Sequence, residues 1–273
     1  MDILLLRVAL APCVVLLVSI AARRIGPARG GRLLGAPATT APFVLLVALG
    51  SGPRAAADAV HGSVAGQLAV AGFCLGYGRL APRLRPGWTC LAALGCAAAG
   101  DLVGASCRNL GLTVALDLAV LVVGLLSWPS TPGDAKPSPA EPKRGYGQVV
   151  ARMALSGGTV FIAVSVAGAA GPFVGGVLSS LPVLLVIMST SIHRSTGGAA
   201  AAQFARGALT TSVATTAFLF VLAVCLVPLG VPAAFGLAVA AFALTDRYGR
   251  FLTSPTAPRG VRPTRRRRRP AVG

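Results

Sequence analysis

Long apolar segments, separated by short polar ones, follow one another along most of the chain. Each is close to the ~20 residues that a helix needs to cross a ~30 Å hydrocarbon core. The sequence does not alternate apolar and polar positions in the way that is typical of membrane β-barrel strands. The sequence therefore predicts an all-α polytopic membrane protein with about nine transmembrane helices, at 3–22, 33–50, 56–78, 87–106, 110–127, 147–168, 174–192, 199–227 and 231–246.

Composition supports this fold class. Of the 273 residues, 55% are hydrophobic and only 12% are charged, whereas a soluble domain carries roughly 25% charged residues. The first apolar segment is followed, not preceded, by Arg23 and Arg24, which predicts a retained span rather than a cleaved signal peptide. The six cysteines lie mostly inside apolar segments without CxxC pairing. We therefore expect neither a disulfide framework nor a metal site.

Basic residues alternate between rich and poor connections. The connections after the first, third and fifth predicted spans are rich in Lys and Arg, those after the second and fourth carry one Arg each, and the tail at 247–273 is densely basic. Because cytoplasmic loops collect positive charge, we expect the N-terminus outside and the C-terminus inside. The Ala-, Gly- and Arg-rich composition is typical of a high-GC bacterium, so the expected location is the bacterial cytoplasmic (inner) membrane.

One motif occurs twice. GPARGGRLLGAP at 26–37 returns as GPFVGGVLSSLP at 171–182, an offset of 145 residues (171 − 26) that also aligns Asp101 with Asp246. The unmatched fifth span reverses the second copy, which predicts two inverted-topology repeats of five and four spans. The expected organisation is a first repeat at 1–127, a Pro-rich cytoplasmic linker at 128–146, a second repeat at 147–246 and a basic cytoplasmic tail at 247–273.

Prolines interrupt predicted spans at matching positions of the two repeats, and small hydroxyl residues flank them. Interrupted spans in both halves indicate the central site of a secondary transporter. A tight turn combined with a small-residue helix-packing surface is an equally good interpretation. The residues predicted to bind substrate are Pro37, Thr39, Thr40, Ser179, Ser180 and Pro182.

Acidic residues inside the predicted spans are the candidates for ion coupling. Asp117 lies ~12 Å from the outer end of the fifth span, at a depth where a charge costs a few kcal/mol. A proton- or cation-coupling carboxyl is favoured there over a buried Asp that is hydrogen-bonded to a neighbouring helix. Asp101 is a second ion-coupling candidate, which ordinary pairing at the interface explains equally well. His61 and Gln67 are placed toward the outer end of the third span.

Motifs for other classes of protein are missing from the sequence. It contains no HExxH, no GxSxG and no P-loop, so we expect no catalytic residues, no cofactor and no ATP-driven pump. The tail sequence PTRRRRRP is expected to bind anionic lipid at the inner surface rather than nucleic acid. The sequence is also compatible with a homo-oligomer.

Two stretches carry a resemblance: RRIGPARGGRLLGAPATTAPFVLLVAL and a later span that ends LGYGRLAPRLRPGW. Together they resemble a group of bacterial multi-pass membrane proteins with repeated Gly-Pro-x-x-Gly-Gly motifs. The resemblance implies a fold but no substrate. The predicted number and order of spans are also similar to those of five-plus-five inverted-repeat secondary transporters without the last span. The favoured function is a small secondary transporter for a small solute. A non-transporting membrane subunit or lipid-binding scaffold is the alternative, and a membrane enzyme acting on lipid comes third.

Overall fold

The computed structural model describes residues 32, 36–37, 39–129 and 146–253, with the backbone alone at 146–157 and 250–253. The predicted first span, most of the linker and most of the tail, including its predicted lipid site, lie outside these residues. The described secondary structure is helical, without a strand, which confirms the all-α class. Within this described part of the chain, four helices are long and apolar enough to span a membrane: Thr40–Leu80, Pro86–Ser106, Pro172–Thr196 and Gly198–Gly249.

The described residues form seven helices in chain order. They are α1 (Thr40–Leu80), α2 (Pro86–Ser106), α3 (Leu110–Leu126), α4 (Tyr146–Ala170), α5 (Pro172–Ser179), α6 (Val183–Thr196) and α7 (Gly198–Thr253). The spans predicted at 87–106, 110–127 and 147–168 coincide with α2, α3 and α4. The span predicted at 174–192 is two helices, because the chain leaves helical geometry between Ser179 and Val183.

Glycines with positive φ mark the points where the chain reverses. Gly52 breaks α1 at φ +87°, Gly230 breaks α7 at φ +75°, and Gly197 separates α6 from α7 at φ +94°. The rings of Phe218 and Phe235 stack edge-to-face at 6.3 Å, which a continuous helix of that length would prevent, so the chain folds back at Gly230. All three breaks fall where the sequence predicted connections between spans.

The segment 53–80 of α1 is the central helix of the bundle, and α5 and α6 run parallel to it. Phe173, near the start of α5, lies against His61 with ring centroids 5.2 Å apart. His193, near the end of α6, places Nδ1 3.2 Å from the hydroxyl oxygen of Tyr77. We call the two ends of the bundle the His61 end and the Ala81 end.

Helix α7 begins at the Ala81 end and runs back toward the His61 end. A Cβ added at Gly198 would lie 2.0 Å from the carbonyl oxygen of Ala81, so the two backbones touch. The segments 53–80 and 198–225, which are 145 residues apart (198 − 53), therefore run in opposite directions.

Small residues allow the helices to approach closely. Gly72 of α1 faces the backbone of α2, and a Cβ there would lie 2.4 Å from the carbonyl oxygen of Cys96. Gly100 and Gly104 of α2 face the backbone of α1 in the same way, with a Cβ 2.3 Å from a carbonyl oxygen at each. Such small-residue contacts are typical of membrane helix packing.

Large apolar side chains cover the outside of the bundle. Leu102 is 71% exposed and Leu126 is 83% exposed. Others at the surface include Trp88, Leu91, Phe161, Ile162, Val224 and Leu244. An exterior this apolar fits a membrane-embedded protein, since soluble monomers rarely expose contiguous apolar patches of such extent.

Candidate functional site

A cavity of about 50 Å³ lies where the break between α5 and α6 faces the middle of the central helix. This is room for about three to five water molecules. Its polar lining residues are Thr39, Thr40, Gln67, Thr159, Ser180 and Thr215. Five separate stretches of the chain therefore contribute hydrogen-bonding groups to one small space.

The residues predicted to bind substrate converge on this cavity. Five of them line it: Pro37, Thr39, Thr40, Ser180 and Pro182. The sixth, Ser179, lies directly behind, where its carbonyl oxygen accepts a 3.3 Å hydrogen bond from the Thr39 hydroxyl. The two proline-interrupted segments therefore meet in space. Substrate binding by these residues stays a prediction.

Serine hydroxyls fix the break between α5 and α6 against the central helix. The Ser180 hydroxyl donates to the carbonyl oxygen of Ser63 at 3.0 Å. The Ser179 hydroxyl donates to the carbonyl oxygen of Gly176 at 2.8 Å and lies 3.3 Å from the Ser63 hydroxyl. The small-residue packing interpretation of the repeated motif is therefore realised beside the cavity, and the two interpretations are not exclusive.

Gln67 is the most unusual residue of the lining. It is 4% exposed, and its amide oxygen is buried without a hydrogen-bond partner among the described residues. Its position toward the outer end of the third span was wrong: Gln67 lies midway along segment 53–80. Gln67, Thr159 and Thr215 were missed as lining residues, and the only available signal was a polar residue within an apolar run.

Two helices begin at the cavity. The segment 40–51 of α1 starts after the N-cap residue Thr39, and α6 starts after the N-cap residue Pro182. Neither N-cap side chain makes a capping hydrogen bond. The segment 40–51 leads to Gly52 at the His61 end, whereas α6 leads to the Ala81 end. Two uncapped N-termini therefore meet at mid-depth, and their helices leave in opposite directions.

The two acidic candidates lie away from the cavity lining. Asp117 in α3 is fully buried, and its Oδ2 accepts a 2.5 Å hydrogen bond from the Thr216 hydroxyl. Its Oδ1 is buried without a partner in the described part of the chain. Thr216 directly follows the lining residue Thr215, so Asp117 is hydrogen-bonded to a residue next to the cavity lining. Asp101 in α2 is part-buried, also with an unpartnered Oδ1, and is not brought to the cavity.

Polar and aromatic contacts connect the helices at both ends of the bundle. At the His61 end, the Arg108 guanidinium lies 5.8 Å from the ring centroid of Phe173, and the Thr113 hydroxyl is 3.5 Å from Nε2 of His61. At the Ala81 end, the contact between Tyr77 and His193 joins α1 to α6. The cavity lies between these two sets of contacts.

No protein-family model, curated protein or solved structure matches this chain. The resemblance to proteins with repeated Gly-Pro-x-x-Gly-Gly motifs stays a sequence-based expectation. Function is therefore inferred from the geometry of the cavity and of the helices that form it.

Proposed function

We propose that the protein is a small secondary transporter whose solute binds in the cavity. The observation that carries this proposal is the meeting of two interrupted segments, at Pro37 and Pro182, 145 residues apart (182 − 37), at one cavity. In many secondary transporters the solute binds near the bilayer midplane between repeats, at discontinuous helices in matching positions. A lipid-binding scaffold has no need for a small cavity with hydroxyl and amide groups in its wall at the middle of the bundle.

The same proposal includes a topology in which nine spans form two inverted repeats. Gly52 and Gly197 support it, because they are 145 residues apart (197 − 52) and share nearly the same backbone angles. The opposite directions of segments 53–80 and 198–225 support the inversion.

Charge supports one orientation of the bundle in the membrane. The Ala81 end carries Arg79, Arg83, Arg85 and Arg194, whereas the described residues of the His61 end include Arg54 and Arg108. Because cytoplasmic segments collect Arg and Lys, the Ala81 end faces the cytoplasm. The bacterial inner membrane is the proposed location.

Asp117 is the proposed coupling acid. A carboxyl buried at mid-membrane is by default a candidate for proton or ion coupling. Its contact with Thr216, next to Thr215 in the cavity wall, supports an influence of its protonation on the cavity. Asp101, which has no such connection to the cavity, is the weaker candidate.

Two-sided access to the cavity tests the proposal without knowledge of the solute. Val70→Cys, placed in the cavity wall of a chain whose six native cysteines are replaced, is treated with a membrane-impermeant thiol reagent from each side. A transporter that alternates its access reacts from both sides. The control is Val64→Cys, which is fully buried on the same helix and should react from neither. Reaction of Val70→Cys from one side only, or from none, would favour the membrane subunit or scaffold.

A second labelling pair tests the inversion. Ser51 and Ala199 are exposed and lie within two residues of Gly52 and Gly197, respectively. Ser51→Cys is expected to react only from outside and Ala199→Cys only from the cytoplasm. Reaction of both from the same side would contradict the inverted repeat.

A further inference from the structure

We infer that the cavity binds a small carboxylate that carries a hydrogen-bond donor beside its charge, such as a short hydroxy acid or amino acid. The inference deepens the proposed function, because it names the class of solute that the cavity takes. It follows from two helix N-termini, an uncharged lining, an unpartnered buried amide and the size of the space.

The helix N-termini supply the attraction for an anion. Residues of the first turn of both helices line the cavity, namely Thr40 of α1 and Val183, Leu184 and Leu185 of α6. A helix N-terminus carries roughly half a positive elementary charge, together with N–H groups that have no partner inside the helix. Neither N-terminus is capped by the side chain of its N-cap residue. The N–H groups of Ala41 and Val183 already donate to the carbonyl oxygens of Pro37 and Leu181, and Pro42 has no N–H. A carboxylate between the helices is therefore met by the remaining first-turn N–H groups, those of Thr40, Leu184 and Leu185.

No charged side chain competes with the helix N-termini in the described lining of the cavity. An acidic residue there would favour a cation, and a basic residue would fix a more highly charged anion. The nearest polar neighbours are hydroxyl groups and the Gln67 amide, so the two N-termini set the sign of the local potential when Asp117, behind the lining, is protonated. A cation is therefore disfavoured, and a single negative charge is matched by about one positive charge in total.

Gln67 specifies the remainder of the solute. Its side chain is more than nine-tenths buried and its amide oxygen has no partner in the described residues. Leaving a buried acceptor unsatisfied costs about 1–3 kcal/mol, so a solute that donates a hydrogen bond to it gains affinity over one that does not. A hydroxyl or ammonium group next to the carboxylate supplies that donor.

The cavity volume limits the size of the solute. Space for about three to five water molecules accommodates about five or six non-hydrogen atoms, which describes glycolate, lactate and glycine. These three small carboxylates are therefore the probes to use.

The test measures the thermal stability of the full-length protein in detergent against a panel of probes. Glycolate, L-lactate and glycine are compared with acetate, which lacks the donor, with glycolamide, which lacks the charge, and with ethanolamine, which is a cation. We expect saturable stabilisation of several degrees by at least one of the three carboxylates, weaker stabilisation by acetate, and none by glycolamide or ethanolamine. Equal or greater stabilisation by either of these last two, or none by all three carboxylates, would overturn the inference.

One variant tests whether Gln67 is the residue that distinguishes glycolate from acetate. Gln67→Leu is expected to reduce the stabilisation by glycolate to the level of acetate and to leave acetate unchanged. Gln203→Leu, at a partly buried glutamine outside the cavity lining, is the matched control and should retain the difference. If Gln67→Leu also kept the full difference, the assigned role of Gln67 would be wrong. Should this variant not fold, the panel on the unmodified chain still decides the class of solute.

The outcomes separate this inference from the proposed function. Stabilisation by the small carboxylates without two-sided labelling of Val70→Cys would support the site and contradict transport. Two-sided labelling without stabilisation by any of the carboxylates would support transport and contradict a site for small carboxylates.

Discussion

Gly52 and Gly197, which are 145 residues apart (197 − 52), adopt nearly the same backbone conformation. Their φ and ψ angles are 87° and 172° at Gly52, and 94° and 170° at Gly197. No heavy atom lies within 4 Å of a Cβ added at either position. Substitution there is therefore opposed by backbone strain alone, because L-residues with a side chain rarely adopt these angles.

Gly52→Ala and Gly197→Ala are each expected to lower the free energy of unfolding by about 1–2 kcal/mol. The control is Gly95→Ala, which has equally open surroundings inside α2 but no positive φ. Because alanine is the better helix former, the control should be neutral or stabilising by up to about 1 kcal/mol. Unfolding by a graded denaturing detergent measures all three. Equal behaviour of Gly52→Ala and Gly95→Ala would show that the conformation is not needed.

At the scale of elements, α5 is a short helix held by close backbone contact. A Cβ added at Gly176 would lie 2.0 Å from the carbonyl oxygen of Ala59 and 2.8 Å from the amide nitrogen of Ser63. Both neighbours are backbone atoms of the central helix, which cannot move aside as a flexible side chain would. The same helix ends at Ser179, so its position also sets the position of the cavity wall.

Gly176→Ala is expected to destabilise the protein by about 1–3 kcal/mol or more, because the helix must move to accept the methyl group. The movement should also displace Ser180 and reduce stabilisation by glycolate. Gly168→Ala in neighbouring α4, where a Cβ meets no heavy atom within 4 Å, should not destabilise the protein and should leave the response to glycolate unchanged. Thermal unfolding with and without glycolate measures them. A stable Gly176→Ala that still responds fully to glycolate would contradict this account of α5.

The sequence was sufficient to predict the interrupted segments. It was not sufficient to predict how far along its helix a single side chain lies or in which direction it points. Pro37 and Pro182 could be found because proline removes a helical hydrogen bond wherever it falls. The predicted span 56–78 is itself centred on Gln67, so its limits did not cause the wrong depth. The face that Gln67 presents could not be predicted, because each residue of error in register turns a helix by about 100°. Thr215 has the same composition around it as Thr210 and Thr211. Only packing against α1 and α6 brings Thr215 to the cavity.

At the scale of the whole molecule, Asp117 tests whether the cavity is coupled to a gradient. In proteoliposomes, uptake of labelled glycolate by the unmodified protein is expected to increase with an imposed proton gradient. Asp117→Asn keeps a side chain that can bond to Thr216 but cannot exchange a proton. It should lose gradient-driven accumulation and retain exchange of glycolate at equilibrium.

Thr210→Val is the control for this experiment, because the Thr210 hydroxyl bonds to the carbonyl oxygen of Arg206 within the same helix. It should retain both gradient-driven uptake and exchange. Gradient-driven uptake that survives in Asp117→Asn would remove the coupling role and leave Asp117 as a structural residue of α3.

Under the proposed function, the two helices that begin at the cavity also bear on the response to membrane voltage. Segment 40–51 and α6 start at the same depth and run to opposite ends of the bundle, so their peptide dipoles point in opposite directions along the membrane normal. A rearrangement that exchanges the roles of the two halves moves these dipoles in compensating directions. The transmembrane field acts on net displaced charge, at ~2.3 kcal/mol per elementary charge per 100 mV. Under the proposed function, a monoanion carried with one proton displaces no net charge, and its uptake is expected to be independent of the membrane potential.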